Sequence, residues 1–486
     1  MNTFRHTREG WWLEEAGAVK PLSPLSGRRK ADVAIVGGGY LGLWTAWQIK
    51  QLEPQCEVAV VESGICGHGP SGRNGGFVST LLDELPNLRG LFGDARAIET
   101  ARASERGVRG IADFCHAQAV DAWFRFAPTM YVSTNRAQLG CFDEAVAACA
   151  EVGCADEITA IDGAAVRARC DSPLFLGGAL VRLSAKVQPA RLALGLRDRV
   201  RDAGVTIFEN SPVQKIGHDG VTTSDGRIDT NQVVLAVNSR TTAFPGLRCA
   251  MAVASSHMVI TEPVPDLLED IGWTGGEPIA DGRTLLHYFR TTPDGRIAFG
   301  WAGGRMGFGA RALTCLEKDD DVARRTADSL LRFFPGLRGR RIAHAWGGPI
   351  DVSPTHLPIF GSRGRVHHGF GFTGNGVGPA YLGGEILARL ALDRRDELTR
   401  LPLVDPPQTS MPPEPFRWAG GSVIRRALLR RDEAEDTGKN PGVLVAAVAG
   451  LPRRRGWRFP RGTRTDQTAA AAWAGRCAHL ASLQVP

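Results

Sequence analysis

The chain has 486 residues, 43% of them hydrophobic and 22% charged, enough for two or three domains around a large buried core. No apolar run approaches the roughly 20 residues that span a bilayer. The first ten residues lack the apolar stretch of a signal peptide, so a cytoplasmic protein is expected. Ten cysteines without CxxC or Cys/His spacing read as reduced thiols, not disulfides, and no metal site is expected. The net charge of +7 is concentrated between Arg417 and Asp466, where twelve Lys/Arg stand against five Asp/Glu. A basic tail can attract anionic lipid or nucleic acid, but this one has no stacking platform of aromatics. A solvated extension without a nucleic-acid partner is expected.

Residues 1–30 read as a leader that packs on the body through Trp11 and Trp12. The run Asp32-Val-Ala-Ile-Val-Gly37-Gly-Gly39-Tyr-Leu-Gly42, followed by Val58-Ala-Val-Val61-Glu62, reads as buried parallel strand, glycine turn, helix and second strand. Gly37 permits the tight turn, Gly39 lets backbone approach a pyrophosphate, and Gly42 lets helix and strand pack closely. The helix N-terminus favours an anion, and Glu62, twenty residues after Gly42, suits a ribose hydroxyl. A dinucleotide site is expected. Next come a loop, Gly67 to Gly76, a helix over Ala97–Gln118, and a strand over Trp123–Thr134 belonging to a different sheet. A helix starts at Pro189. Val205–Glu209 and Gln232–Val237 read as buried strands, with a hairpin over Gly220–Thr230 turning at Asp225-Gly226. Residues 250–310 are strand-rich, with a hairpin turn at Thr292–Gly295. A helix spans Lys318–Phe334. A strand near Val366–Gly371, the turn Gly374-Asn375-Gly376 and a helix from Pro379 to about Leu392 follow. Pro402–Pro415 reads as a linker or a belt across the surface, and residues 442–451 as a short packing helix.

The pieces interleave. A dinucleotide-binding domain occupies 31–118, 185–245 and 340–400, and a substrate domain occupies 119–184 and 246–339. A Pro-rich linker and basic extension fill 401–486. Nicotinamide dehydrogenases usually complete their sheet in one run, so the interruption favours a flavoprotein.

The chain resembles the D-amino-acid oxidase / glycine oxidase / sarcosine oxidase superfamily of FAD-dependent amine oxidoreductases, and within it most resembles the γ-glutamylputrescine oxidoreductase branch. The resemblance rests on Val36 to Gly42, Ser71-Gly-Arg-Asn-Gly-Gly76, Val234-Leu-Ala-Val-Asn238 and Gly371-Phe-Thr-Gly374-Asn-Gly376-Val-Gly378, and covers about residues 28–400. It implies an α/β fold: a Rossmann-like FAD-binding domain interleaved with an antiparallel α+β substrate domain, plus the basic C-terminal extension. It further implies that Gly37, Gly39 and Gly42 hold the pyrophosphate and Glu62 the ribose. Ser71, Gly72, Arg73, Asn74, Gly75 and Gly76 would line the flavin, Val213 meet the adenine, and Asn238 flank the pyrophosphate. Gly374, Asn375, Gly376 and Val377 would present a helix start to the flavin edge. Relatives that bind flavin covalently use a cysteine before the last segment, and none occurs here between Cys315 and Cys477. FAD is therefore expected to be noncovalent.

The implied reaction oxidises the C–N bond of a small amine or amino acid, with oxygen or an electron carrier as acceptor. A dehydrogenase or demethylase and a non-oxidase flavoprotein are the alternatives. No acid or base is assigned. His257, Tyr288 and Arg290 are the substrate-face candidates; strand alternation puts Tyr288 and Arg290 on one face, where a guanidinium can pair with an oxyanion. Arg73 is a further candidate for contacting the flavin or a substrate anion, and Trp346 and His356 are weaker ones.

Overall fold

In the computed structural model, which describes residues 4–217, 219–244, 246–310, 314–407 and 410–451, the runs Val33–Val36 and Val58–Val61 are buried at every residue. Strands covered on both faces need such continuous apolar runs. They sit centrally in a six-stranded sheet ordered Thr206–Phe208, Val58–Val61, Val33–Val36, Gln232–Leu235, Val366–Phe370, Ile359–Arg363. All neighbours are parallel except the last pair. Val33, Ile35, Val58 and Val60 pack against the helices Tyr40–Leu52, Asp94–Ala117 and Val377–Ala391. Ala34, Val36, Ala59 and Val61 point the other way, into a core shared with a four-stranded sheet. Each such fully buried valine or isoleucine is worth about 1.5–3 kcal/mol.

The second large element is a nine-stranded sheet whose core strands Ile342–Val352, Ala252–Thr261, Ile297–Trp301 and His287–Thr291 pair antiparallel in that order. One face is a dry aromatic core containing Phe289, Phe299, Phe333 and Trp273 under the helix Asp320–Phe333. The other faces a cavity. The leader joins both parts. Arg5–His6 pairs with His344–Ala345 at the edge of the nine-stranded sheet, and Gly27–Lys30 pairs with Gly226–Asp229 in the small sheet. Between them Trp11 and Trp12 are buried with Trp346.

Several expectations are corrected. The strand expected over 123–134 is two, Arg125–Phe126 and Thr129–Ser133, in different sheets; Pro128 between them has no N–H for a ladder. Residues 342–352, expected in the FAD-binding part, form the longest strand of the nine-stranded sheet. The helix expected from Lys318 starts at Asp320, because the Asp319 side chain accepts from the Asp321 and Val322 amides and caps it. The last large helix of the body begins at Val377, two residues before the expected proline, which the unpaired N–H groups of a first turn tolerate. The stretch 402–415 crosses the surface, with Leu403 and Asp405 bonded to Phe360 and Met411 to Cys249.

The C-terminal extension is the largest departure. Residues Phe416–Asp436 form a helix that buries Arg417, Ala427, Leu428, Arg431, Asp432 and Glu435, and the short helix Val443–Ala449 packs on it. The basic run from Arg453 onward lies outside the described residues.

Candidate functional site

The first strand ends at Gly37, whose φ of +107° and whose missing Cβ, which would fall 2.3 Å from the Ala236 carbonyl oxygen, both require glycine. Gly42 faces the same turn; a Cβ there would lie 2.0 Å from the Gly37 oxygen. Gly39 precedes the helix Tyr40–Leu52, and the Ser71 hydroxyl accepts from the first helical amide, Tyr40 N, at 2.9 Å. Glu62 closes the second strand. Its carboxylate accepts from Gly38 N at 2.7 Å and Gly64 N at 2.8 Å, which holds the glycine turn against the strand end.

Asn74 shapes the next loop from within: Nδ2 donates to the Pro70 and Ser71 oxygens, and Oδ1 accepts from Gly76 N at 2.7 Å. The turn at Gly374 (φ +86°) leads into the helix start at Gly376 and Val377. Asn375 donates to the Thr80 oxygen at 3.4 Å.

These pieces line one continuous cavity of about 2020 Å³. Its wall includes Gly37, Gly39, Glu62, Ser71, Arg73, Asn74, Gly75, Val213, Asn238, Gly374, Asn375, Gly376 and Val377. Gly42, Gly72 and Gly76 sit behind that wall as packing positions. The lining suits the expected cofactor in shape. A glycine-rich groove runs past a strand-end carboxylate, a helix start whose first amide meets a serine hydroxyl, and a second helix start, all on one cavity.

Beyond the groove, the nine-stranded sheet supplies a floor of Ser256, Met258, Tyr288, Trp346 and Ile350. The Tyr288 hydroxyl lies 2.8 Å from Ser256 Oγ, which donates to the Trp301 oxygen. Burial pushes the phenol up to about 12, so Tyr288 stays neutral. Trp346 Nε1 donates to the Arg73 oxygen at 2.8 Å. This floor carries no charge at neutral pH.

Two substrate-face candidates are corrected. His257 is fully buried on the opposite face of its strand, since Ser256 and Met258 take the cavity face. Its ring lies 6.5 Å from that of His6, and burial pushes it down to about 4. Arg290 does share a face with Tyr288, but it is sealed under the leader. Its Nη1 donates to Val187 O at 2.5 Å and Gly76 O at 3.2 Å, and its guanidinium lies 4.8 Å from the Trp12 ring centroid. It cannot meet a substrate anion. Arg73 lines the cavity, yet its guanidinium is held by Glu317 (3.2 Å), the Arg8 oxygen and the Gly69 oxygen. His356 also lines the cavity, pushed down to about 4 by burial.

Two contributors escaped the sequence reading. Asp351 is buried, accepts from Gly371 N at 2.6 Å and bonds the Asn238 side chain, so one carboxyl fastens the Asn238 turn to the loop preceding Gly374. Burial pushes it up to about 6. A lone carboxylate in an otherwise apolar alternating strand was the available signal. The second is the helix Phe416–Asp436, which walls the cavity with Phe416, Ile424, Arg425 and Leu428. It is anchored by Asp436, which accepts from Arg283 at 2.6 and 3.1 Å, Arg332 at 2.7 Å and Asn135 at 3.1 Å.

The profile of the DAO family, FAD dependent oxidoreductase, matches residues 32–390. Gamma-glutamylputrescine oxidoreductase of Escherichia coli (strain K12) is 27% identical over 407 residues, covering 82% of this chain and 92% of that protein. Among solved structures, L-proline dehydrogenase from P. horikoshii superposes with a TM-score of 0.63 at 17% identity, covering 77% of this chain and 96% of that one. Glycine oxidase from Geobacillus kaustophilus gives 0.61 at 16%, covering 76% and 96%.

Proposed function

The chain belongs to the DAO family of FAD-dependent oxidoreductases, and from that premise we propose that it oxidises the C–N bond of a small amine or amino acid. The imine so formed would hydrolyse to an aldehyde or keto product. The similar gamma-glutamylputrescine oxidoreductase and glycine oxidase are named for amine and amino-acid substrates, which supports this class. FAD, when bound, supplies a hydride acceptor. In this reading Gly37, Gly39, Glu62, Val213 and Asn238 hold its nucleotide end. Ser71–Gly76 and Gly374–Val377 flank its ring, without a covalent bond.

The chain's own residues set the conditions. The neutral floor of Ser256, Met258, Tyr288, Trp346 and Ile350 penalises a desolvated ammonium and so favours the neutral amine, the form that can lose hydride. The same floor excludes water and fixes the reacting carbon against the groove. The unpaired amides at the start of the helix Val377–Ala391 favour negative charge beside them. A stable phenol at Tyr288 positions through its bond with Ser256; it is not a base. Oxygen is the proposed acceptor, giving hydrogen peroxide, with an electron carrier as the alternative.

The observation that carries this reading is the single cavity joining a strand-end carboxylate and two helix starts to an uncharged floor. The test is visible absorption of the purified protein, then an amine panel read both as peroxide under air and as dye reduction under nitrogen. Acid precipitation should release the flavin. Folded protein that stays colourless in excess FAD, or that turns over no amine with either acceptor, refutes the reading.

A further inference from the structure

The floor leaves a substrate anion without a partner, so a charged substrate must be read elsewhere in the cavity. The arginines on its wall differ in how they are compensated. Arg73 is paired with Glu317, Arg283 with Asp281 and Asp436, and Arg417 with Glu414. Arg240 and Arg248 also line the cavity, and the Arg248 backbone oxygen accepts from Arg417 at 2.7 Å, but no bond to the protein fixes either guanidinium among the described residues. Arg425 stands apart. It projects from the helix Phe416–Asp436, lines the cavity and is half-buried. Its Nε and Nη2 donate only to the backbone oxygens of Gly303 and Gly304, with Nη2 2.6 Å from Gly303 O. Nη1 has no partner among the described residues.

Its surroundings deepen the imbalance. Burial and the neighbouring Arg305 and Arg325 push Arg425 below its ordinary pKa, and Asp319, the carboxylate that opposes them, is paired with Arg305. Bonds to two carbonyls fix the guanidinium plane and leave Nη1 unbonded on a residue that lines the cavity. A fixed fork with a free edge in a positive, partly desolvated wall suits one oxyanion. The helix that carries it is held by the buried Arg283–Asp436 contact and by Arg431, which donates to Thr284 Oγ1 at 2.8 Å. The family match ends at residue 390, before this helix begins.

We propose that Arg425 determines specificity by binding a carboxylate at the end of the substrate away from the oxidised C–N bond. The inference rests on the amine-oxidising reading above and names the substrate class within it, amines with a distal carboxylate. Such a group would take the free Nη1 edge while the amine end lies on the neutral floor.

The experiment is calorimetric titration of the FAD-loaded protein with the ω-amino acids from aminobutanoate to aminooctanoate, each beside the n-alkylamine of equal length. At least one ω-amino acid should bind about ten- to a hundredfold more tightly than its alkylamine, the range of a charged hydrogen bond. Arg425→Met should bring that compound down to the alkylamine level, and Arg425→Lys should restore part of the difference. Circular dichroism and flavin content report whether the variants keep their structure. The same dissociation constants for both series in the wild type, or a preference that survives Arg425→Met, overturns the proposal. So does FAD-loaded protein that binds neither series. Failure of the broader reading is distinct, since it appears as colourless protein or as the absence of amine turnover.

Discussion

Replacing Arg290 by methionine isolates what a buried cation without a carboxylate does for this fold. Arg290 is 2% exposed, and burial pushes it from 12.5 down to about 9, a cost of about 5 kcal/mol to keep it charged at neutral pH. Against this stand two charged hydrogen bonds, to Val187 O and Gly76 O, worth about 1.5–3 kcal/mol each. The contact with Trp12 adds about 1–2 kcal/mol. The two sides nearly cancel. Arg290→Met should therefore change the stability of the apoprotein by less than about 2 kcal/mol, measured by urea unfolding. The Gly76 oxygen, however, loses one of its two donors and keeps only Val187 N at 2.9 Å, which loosens the last residue of the glycine loop. FAD affinity, followed by fluorescence on titrating the apoprotein, should fall about tenfold, the equivalent of one hydrogen bond. A variant destabilised by about 4 kcal/mol or more, or one with unchanged FAD affinity, refutes the reasoning.

Asp436→Ala removes three partners of the C-terminal helix while Arg283 keeps Asp281. The loss should be about 3 kcal/mol, read as a lower urea midpoint and faster proteolysis within 405–416. Asp351 ionises near 3.8 when unfolded and at about 6 in the fold. The native state therefore holds a proton that the unfolded chain has shed, and stability falls as pH rises through that window, by about 3 kcal/mol in all. Asp351→Asn should flatten urea midpoints across it; an unaltered slope would show that Asp351 is not the group responsible. Gly42→Ala drives a methyl into the Gly37 oxygen and should cost about 2–3 kcal/mol together with retained flavin, both measured on the purified variant.

Local pattern carried the nucleotide-binding half. Two fully apolar four-residue runs and the glycines between them dictate a parallel strand, a turn and a helix without reference to anything distant. Alternation likewise put Tyr288 and Arg290 on one face, and they share it. It could not say what lies over that face, and Trp12, arriving from the leader, covers Arg290 but not Tyr288. For His257 alternation offers no guide, since both faces of that strand mix apolar residues with a serine and nothing local marks which meets the cavity. The span 340–400 is expected whole in the FAD-binding domain, but Ile342–Val352 belongs to the other sheet, because membership is settled by pairing with residues 252–261, far away in sequence. The C-terminal helix was misread from net charge. Arg426, Arg430 and Glu433 face water, but Arg431, Asp432 and Glu435 are buried against one another, and Asp436 pairs with Arg283 of the body.

The leader strand sets an order on assembly. Arg5 and His6 are made more than 300 residues before their partners His344 and Ala345. Until then the edge of the large sheet stays open, and two tryptophans meant for its underside have nothing to cover them. Slow closure of this kind follows from contacts so distant in sequence.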